Sequence, residues 1–182
     1  APEALPAFEN YETIVVLVPN FEPLGLRLLD LMDWVEQGGN VLFAMTPEKC
    51  GAFDVVAQKL GVLASAWNCK TAESIVPAEG FLLGGGQRYE LSDPFESSMA
   101  VQLRDDAAVY AVTGDEGVPL IWSTELGEGR VVVDNIGVYD KVMRGFYAAS
   151  YSLLGEACAY PVLNSAVFFL DDFPSPVPEG DG

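Results

Sequence analysis

Residues 23–45, PLGLRLLDLMDWVEQGGNVLFAM, carry the clearest period and the clearest stop in the chain. Leu24, Leu28, Leu31 and Val35 recur at i, i+4, i+7 and i+11, with Arg27, Asp30, Asp33 and Gln37 on another side, so the stretch predicts an amphipathic helix. Pro23 suits a first helical turn, where its missing N–H removes no bond, and Gly38-Gly39 offers a residue free to take positive φ beyond the end. Val41 to Met45 follows as a short apolar run, and Ile14 to Val18 precedes as a similar one. Both runs predict strands buried on two faces. Strand, helix, Gly-Gly and strand together make the βαβ unit of a parallel sheet, whose crossover is right-handed in nearly all proteins.

The rest of the chain works outward from that unit. Phe53, Val56, Ala57 and Leu60 fall at helical spacing and Gly61 closes a second helix. Residues 64–74 read either as a loop or as a short strand, residues 80–83 as a strand, and Gly84-Gly85-Gly86 as a flexible break. The triple glycine lacks both a following Lys-Ser/Thr pair and GxGxxG spacing, so it reads as a turn and not as a phosphate loop. Arg88 beside it is a candidate for meeting an anionic group. Residues 99–112 turn to short strands, and residues 119–124 and 130–134 flank Gly127-Glu128-Gly129 as a β-hairpin. Val142, Phe146, Ala149 and Leu153 mark a last amphipathic helix over residues 140–154, with Lys141 and Arg144 in its first turns, where the helix dipole does not favour them. Residues 160–164 and 166–170 are apolar runs, the second ending in Asp171-Asp172.

Composition narrows function. A chain of 182 residues, half of them apolar, suffices for one main core. Its 27 acidic and 9 basic residues give a net charge of −18, which repels a phosphate backbone, so nucleic acid is not the expected partner. No apolar run reaches the ~20 residues a spanning helix needs, and no basic-then-apolar leader opens the chain. The chain begins Ala-Pro-Glu and reads as an excised piece or a processed product, whose first strand need not be the first strand of the parent domain. Cys50, Cys69 and Cys158 form neither a CxxC nor an even framework, and there is no histidine. A Ser-His-Asp or Cys-His system therefore cannot be assembled from this chain alone. Of the tryptophans, Trp34 and Trp122 sit in regular elements, whereas Trp67 in the irregular stretch is the candidate stacking platform for a sugar ring.

Three pieces carry a resemblance. WVEQGG followed by VLFAM, and the hairpin IWSTELGEGRVVVDN, resemble the class I glutamine-amidotransferase-like fold, a flavodoxin-like sheet. The tail YPVLNSAVFFLDDFPSPVPEG resembles the bacterial DUF2194 proteins, which join such a domain to a polysaccharide-deacetylase-like one. The resemblance implies an α/β, three-layer, flavodoxin-like sandwich with a mostly parallel sheet and one β-hairpin over residues 1–165. Residues 166–182 would be the first strand and loop of a truncated deacetylase-like domain. It also implies that Asp171 acts as base and Asp172 as ligand of a divalent metal in the full-length protein, completed by a His-x-x-x-His pair beyond residue 182. One neighbouring carboxylate would hold the cation while the other takes a proton from its bound water. Within residues 1–182 no cofactor is expected, and no cysteine stands in the G-x-C-x-G elbow of an active amidotransferase. The expected role is thus an accessory domain that packs against or orients the downstream deacetylase-like domain, with polysaccharide as a further partner. Two alternatives stand beside it: a deacetylase completed by further sequence, and a carbohydrate-binding module stacking sugars on Trp34, Trp67, Trp122 or the tyrosines, with Trp67 the better candidate. The family implies a secreted or cell-surface location; three unpaired thiols favour the cytoplasmic alternative.

Overall fold

The computed structural model describes residues 7–138 and 140–155, with backbone alone at residues 67–70 and 97. Among the described residues seven strands form one sheet: β1 Thr13–Val16, β2 Asn40–Phe43, β3 Val62–Pro77, β4 Tyr89–Leu103, β5 Ala108–Thr113, β6 Pro119–Leu126 and β7 Gly129–Asp134, in the order β1-β2-β7-β6-β5-β3-β4. Three α-helices accompany it, α1 Leu26–Glu36, α2 Gly51–Val56 and α3 Arg144–Ser152.

The predicted βαβ unit is present, with β1 parallel to β2 and Ile14 opposite Val41. Pro23 lies in a 3-10 turn, Glu22–Leu24, separated from α1 by Gly25 at φ 52°, and Gly38 leaves the helix at φ 112°. Residues of β2 and β7 alternate between two helical layers. Val41, Phe43, Val131 and Val133 meet α1 and α2 through Leu28, Leu31, Met32, Val35 and Phe53, while Leu42, Ala44 and Val132 meet Leu154 beyond α3.

The sheet is mixed α/β and not mostly parallel, which corrects the expectation. Among the described residues β1, β2 and β7 run parallel, whereas β7-β6, β6-β5, β5-β3 and β3-β4 pair antiparallel. Connection length decides this: a parallel neighbour needs a helical crossover, and turns such as Gly127-Glu128 admit only a reversal. The β6-β7 hairpin has the predicted register, Leu126 opposite Gly129 and Ile121 opposite Asp134. A Cβ at Gly127 would stand 2.3 Å from the Glu36 carbonyl oxygen at the end of α1, and its φ is 63°. The hairpin tip therefore packs directly on helix backbone. Gly127→Ala should destabilise the protein by about 3 kcal/mol in urea unfolding, through clash and left-handed strain together; a loss below about 1 kcal/mol would show that the tip is free to move.

Three further expectations change. Among the described residues β1 lies at the edge of the sheet and is not doubly buried, with Val15 40% exposed. Residues 64–74 belong to the 16-residue β3, which pairs with β4 to form a long bulged hairpin. Residues 80–83 are turn and not strand; Gly86 N bonds Pro77 O, and the glycine break sits at Gly84 φ 83° and Gly86 φ 84°. Pro94, which cannot donate to a ladder, falls on the edge strand β4 in the irregular stretch between the Ala72-Phe95 and Ser74-Glu90 pairs. The last predicted helix begins as a 3-10 turn, Lys141–Met143, with the Asp140 side chain accepting from Lys141 N, and continues as α3. Lys141 and Arg144 are exposed. The runs at 160–164 and 166–170 lie outside the described residues.

Candidate functional site

In a sheet with parallel strands, ligands gather outside the carboxyl ends of those strands. Here that place is formed by the loops after β1 and β2 and by Asp134-Asn135 at the end of β7. Glu48 N bonds Pro19 O at 2.8 Å, joining the two loops, and Asn20 Oδ1 accepts from Glu22 N at 2.9 Å. Cys50 caps α2, its sulfur accepting from Phe53 N at 3.4 Å, and Lys49 Nζ reaches the Ser65 carbonyl at 3.2 Å and the Ser65 hydroxyl at 3.1 Å. Thr46-Pro47-Glu48, the sequence at this crevice, thus lies among groups that tie loops to one another.

Asp134 and Asn135 were visible in the sequence only as the end of a strand. Their side chains are buried. Asn135 Oδ1 accepts from Met99 N at 2.8 Å, and its Nδ2 donates to Met99 O and Pro119 O, both at 2.9 Å. The amide thereby offers β4 the donor and acceptor that a neighbouring strand would offer, and fastens the long hairpin across the end of β6. Asp134 Oδ1 accepts from Ile136 N at 3.0 Å, and Oδ2 lies 3.3 Å from Ser150 Oγ on α3. Ser150 Oγ is also 3.0 Å from Phe146 O. Burial dominates, pushing the Asp134 carboxyl up to about 7 against the pull of those hydrogen bonds. The Ser150 hydroxyl, placed between Asp134 Oδ2 and Phe146 O, is the donor to both. Both side chains are buried and bonded to each other and to neighbouring backbone, so the pair ties β7 to α3.

Of the four residues proposed from the sequence, Trp67 and Arg88 fall within the described residues. Trp67 lies in β3 where the pairing with β4 slips between Ala66 and Cys69. Arg88 precedes β4 at the other half of that hairpin. Its guanidinium donates to Glu90 at 2.7 Å, Asp115 at 2.6 Å and Gly114 O at 3.0 Å, and the two carboxylates hold its pKa above the ordinary arginine value. Those partners neutralise the charge that an anionic ligand would need. Asp171 and Asp172 lie outside the described residues. Among the described residues, no group of three or more His, Cys, Asp or Glu side chains could hold a metal ion, and no helix is long and apolar enough to cross a membrane.

Solved structures share this arrangement at low identity, which speaks to fold alone. The mmIFT52 N-terminal domain superposes with a TM-score of 0.58 at 12% identity, covering 84% of this chain and 81% of that one. Cytoplasmic protein STM3548 from Salmonella typhimurium gives 0.55 at 17% identity, with 83% and 73% covered. The β-galactosidase from Bacillus circulans sp. alkalophilus gives 0.53 at 14% identity over 80% of this chain, which spans only 23% of the galactosidase. No curated protein matches significantly. A family model matches residues 3–102 and 89–182, and the chain therefore belongs to DUF2194, an uncharacterised protein family conserved in bacteria.

Proposed function

We propose that residues 1–165 form a non-catalytic accessory domain of a carbohydrate-active bacterial protein, of flavodoxin-like, class I glutamine-amidotransferase-like descent. It orients a polysaccharide-deacetylase-like domain that opens with residues 166–182. The observation that carries this reading is the use of Asp134, Ser150 and Asn135, at the carboxyl end of β7, as buried ties between elements. The likeness to a β-galactosidase of which this chain spans 23% supports it by analogy, since there the fold is a minor part of a larger sugar-processing protein. In the parent protein Asp171 serves as base and Asp172 as ligand of a divalent metal, acting on an acetylated polysaccharide outside the cell or at its surface.

The test compares two proteins. The 182-residue chain, given acetylated chitin oligomers, acetylated xylan, glutamine and simple esters with and without divalent metal, should release neither acetate nor ammonia. The gene product extended past Gly182 should release acetate only with metal, and Asp172→Asn should abolish it. Hydrolysis by the shorter chain that a single substitution within residues 7–155 removes would refute the accessory role. Calorimetric binding of an oligosaccharide to the shorter chain, lost in Trp67→Ala, would replace it with a sugar-binding module.

A further inference from the structure

A cavity lies where an irregular stretch of β4 faces the turn that leads into α3, and none of the groups described at the strand ends lines it. Between the Ala72-Phe95 and Ser74-Glu90 pairs, Glu73 of β3 stands alone against residues 91–94 of β4. The surplus residues have no partners on β3, and a strand with such a bulge bends locally, a distortion that sheets often carry beside binding sites. The cavity next to the bulge measures about 110 Å³, and Leu91, Phe95, Val138 and Met143 give it an apolar floor. Phe95 and Met143 are buried and continue into the core cluster of Ile121 and Ile136.

Both walls are held by bonds that need no ligand. The Tyr147 hydroxyl donates to Val138 O, Met143 N bonds Asp140 O at 3.1 Å, and the Asp140 side chain accepts from Lys141 N. Opposite, Phe95 is fixed by its pairing with Ala72. The cavity is therefore preformed, as small-molecule sites usually are. Its solvent side carries charge of one sign. Asp93 and Asp140 line it and are exposed, no lysine or arginine lines it, and Lys141, next in the chain, is exposed and outside the lining. Two carboxylates over an apolar floor make no cage for a bare metal ion, and among the described residues no group of three ligating side chains could hold one.

We infer that this cavity binds a primary alkylammonium ion, its chain on the floor of Leu91, Phe95, Val138 and Met143 and its charged head beside the Asp93 and Asp140 carboxylates. Size sets the length of the chain. A dry cavity of about 150 Å³ lined by aliphatic and aromatic side chains holds benzene, so this one suits roughly four carbons. The head stays at the solvent side and keeps part of its hydration, as a lysine does when its stem lies on apolar surface. A net charge of −18 draws cations of every kind to the protein; the apolar floor is what selects one with a chain. Free amines and the lysine side chain share this chemistry. The site is built from β4 and the connection between β7 and α3 alone, so it stands or falls independently of the accessory role.

NMR titration of the intact 182-residue protein with n-butylammonium chloride, at about 150 mM salt to screen diffuse attraction, tests it. Methyl signals of Leu91, Val138, Val142 and Met143 should shift together and saturate with a Kd of about 1–10 mM, a range open to a ligand this small. n-Butanol should bind about tenfold more weakly and butyrate should leave these signals unmoved, because two exposed carboxylates each add a few-fold. Asp93→Asn combined with Asp140→Asn, which keeps an oxygen for Lys141 N, should lower the affinity for n-butylammonium to that for n-butanol. Nα-acetyl-lysine N-methylamide separates the sources: tighter binding than n-butylammonium assigns a lysine of a protein, weaker binding a free amine, and either supports the site. Equal affinity for n-butanol and n-butylammonium, shifts spread over the acidic surface without saturation, or undiminished binding by the double variant would overturn it. Should that variant fail to fold, the ranking of the three small ligands on the unaltered protein decides by itself.

Discussion

Asn135→Leu is expected to lower the free energy of unfolding by about 4 kcal/mol. The side chain is fully buried and its amide satisfies three backbone groups, Met99 N, Met99 O and Pro119 O. Leucine matches the volume but leaves those three groups dry and unpaired, at roughly 1–3 kcal/mol for each before relaxation. The damage should be local at first. Amides of β4 around Met99 should lose protection under conditions where β2 and β7 keep theirs, because the parallel strands have their own cover in α1 and α3. Urea unfolding and hydrogen exchange measure both; a loss below about 1 kcal/mol would mean that the hairpin is held by its pairing with β3 alone. Asn135→Asp should be nearly as harmful above neutral pH, since it keeps the acceptor but replaces two donated bonds with a buried charge.

The second large effect is a pH dependence centred on Asp134. Its carboxyl titrates near 7 in the folded protein against an ordinary 3.8, with burial as the leading cause. Below about pH 4 the group is neutral both folded and unfolded and imposes no electrostatic penalty. Between 4 and 7 the folded state binds the proton that the unfolded state has released, so stability falls as pH rises, and above 7 the full penalty of a buried carboxylate is present. That penalty is on the order of 4 kcal/mol. Asp134→Asn keeps an oxygen for Ile136 N and supplies an N–H for Ser150 without a charge. Relative to the unaltered protein it should therefore be more stable at pH 8.5 and about equally stable at pH 4. The comparison between variant and parent cancels the repulsion among the other acidic residues, which by itself weakens any chain with net charge −18 as pH rises. Equal urea midpoints of the two proteins at both pH values would place Asp134 in contact with water.

How much of this was legible beforehand follows from the range of each interaction. The period of Leu28, Leu31 and Val35, the Gly38 stop and the apolar run at Val41 are signals within one element, and α1 and β2 appear where they predict. Gly127-Glu128-Gly129 between two β-rich runs predicts a reversal, and the observed register agrees. The β3-β4 hairpin was not legible, because its strands carry Ser, Glu and Pro94 in place of a clean alternation and are held by pairing across bulges. Residues 80–83 failed for the complementary reason: Phe81 is buried, but beside Tyr110 in a turn whose bonds run to Pro77 and Ala78. Arg88 looked available for an anion because its partners Asp115 and Gly114 are distant in sequence.

By itself the sequence determined the βαβ unit, the hairpin, the lack of any imidazole chemistry and the acidic surface, since each depends on residues close in the chain or on composition alone. Only the tertiary structure decided that the sheet is mixed, that β1 lies at the edge among the described strands, and that Asp134, Asn135 and Ser150 are ties between elements. Those outcomes depend on which strand lies beside which and on how far a carboxyl is removed from water. Neither is a property of any short stretch of residues.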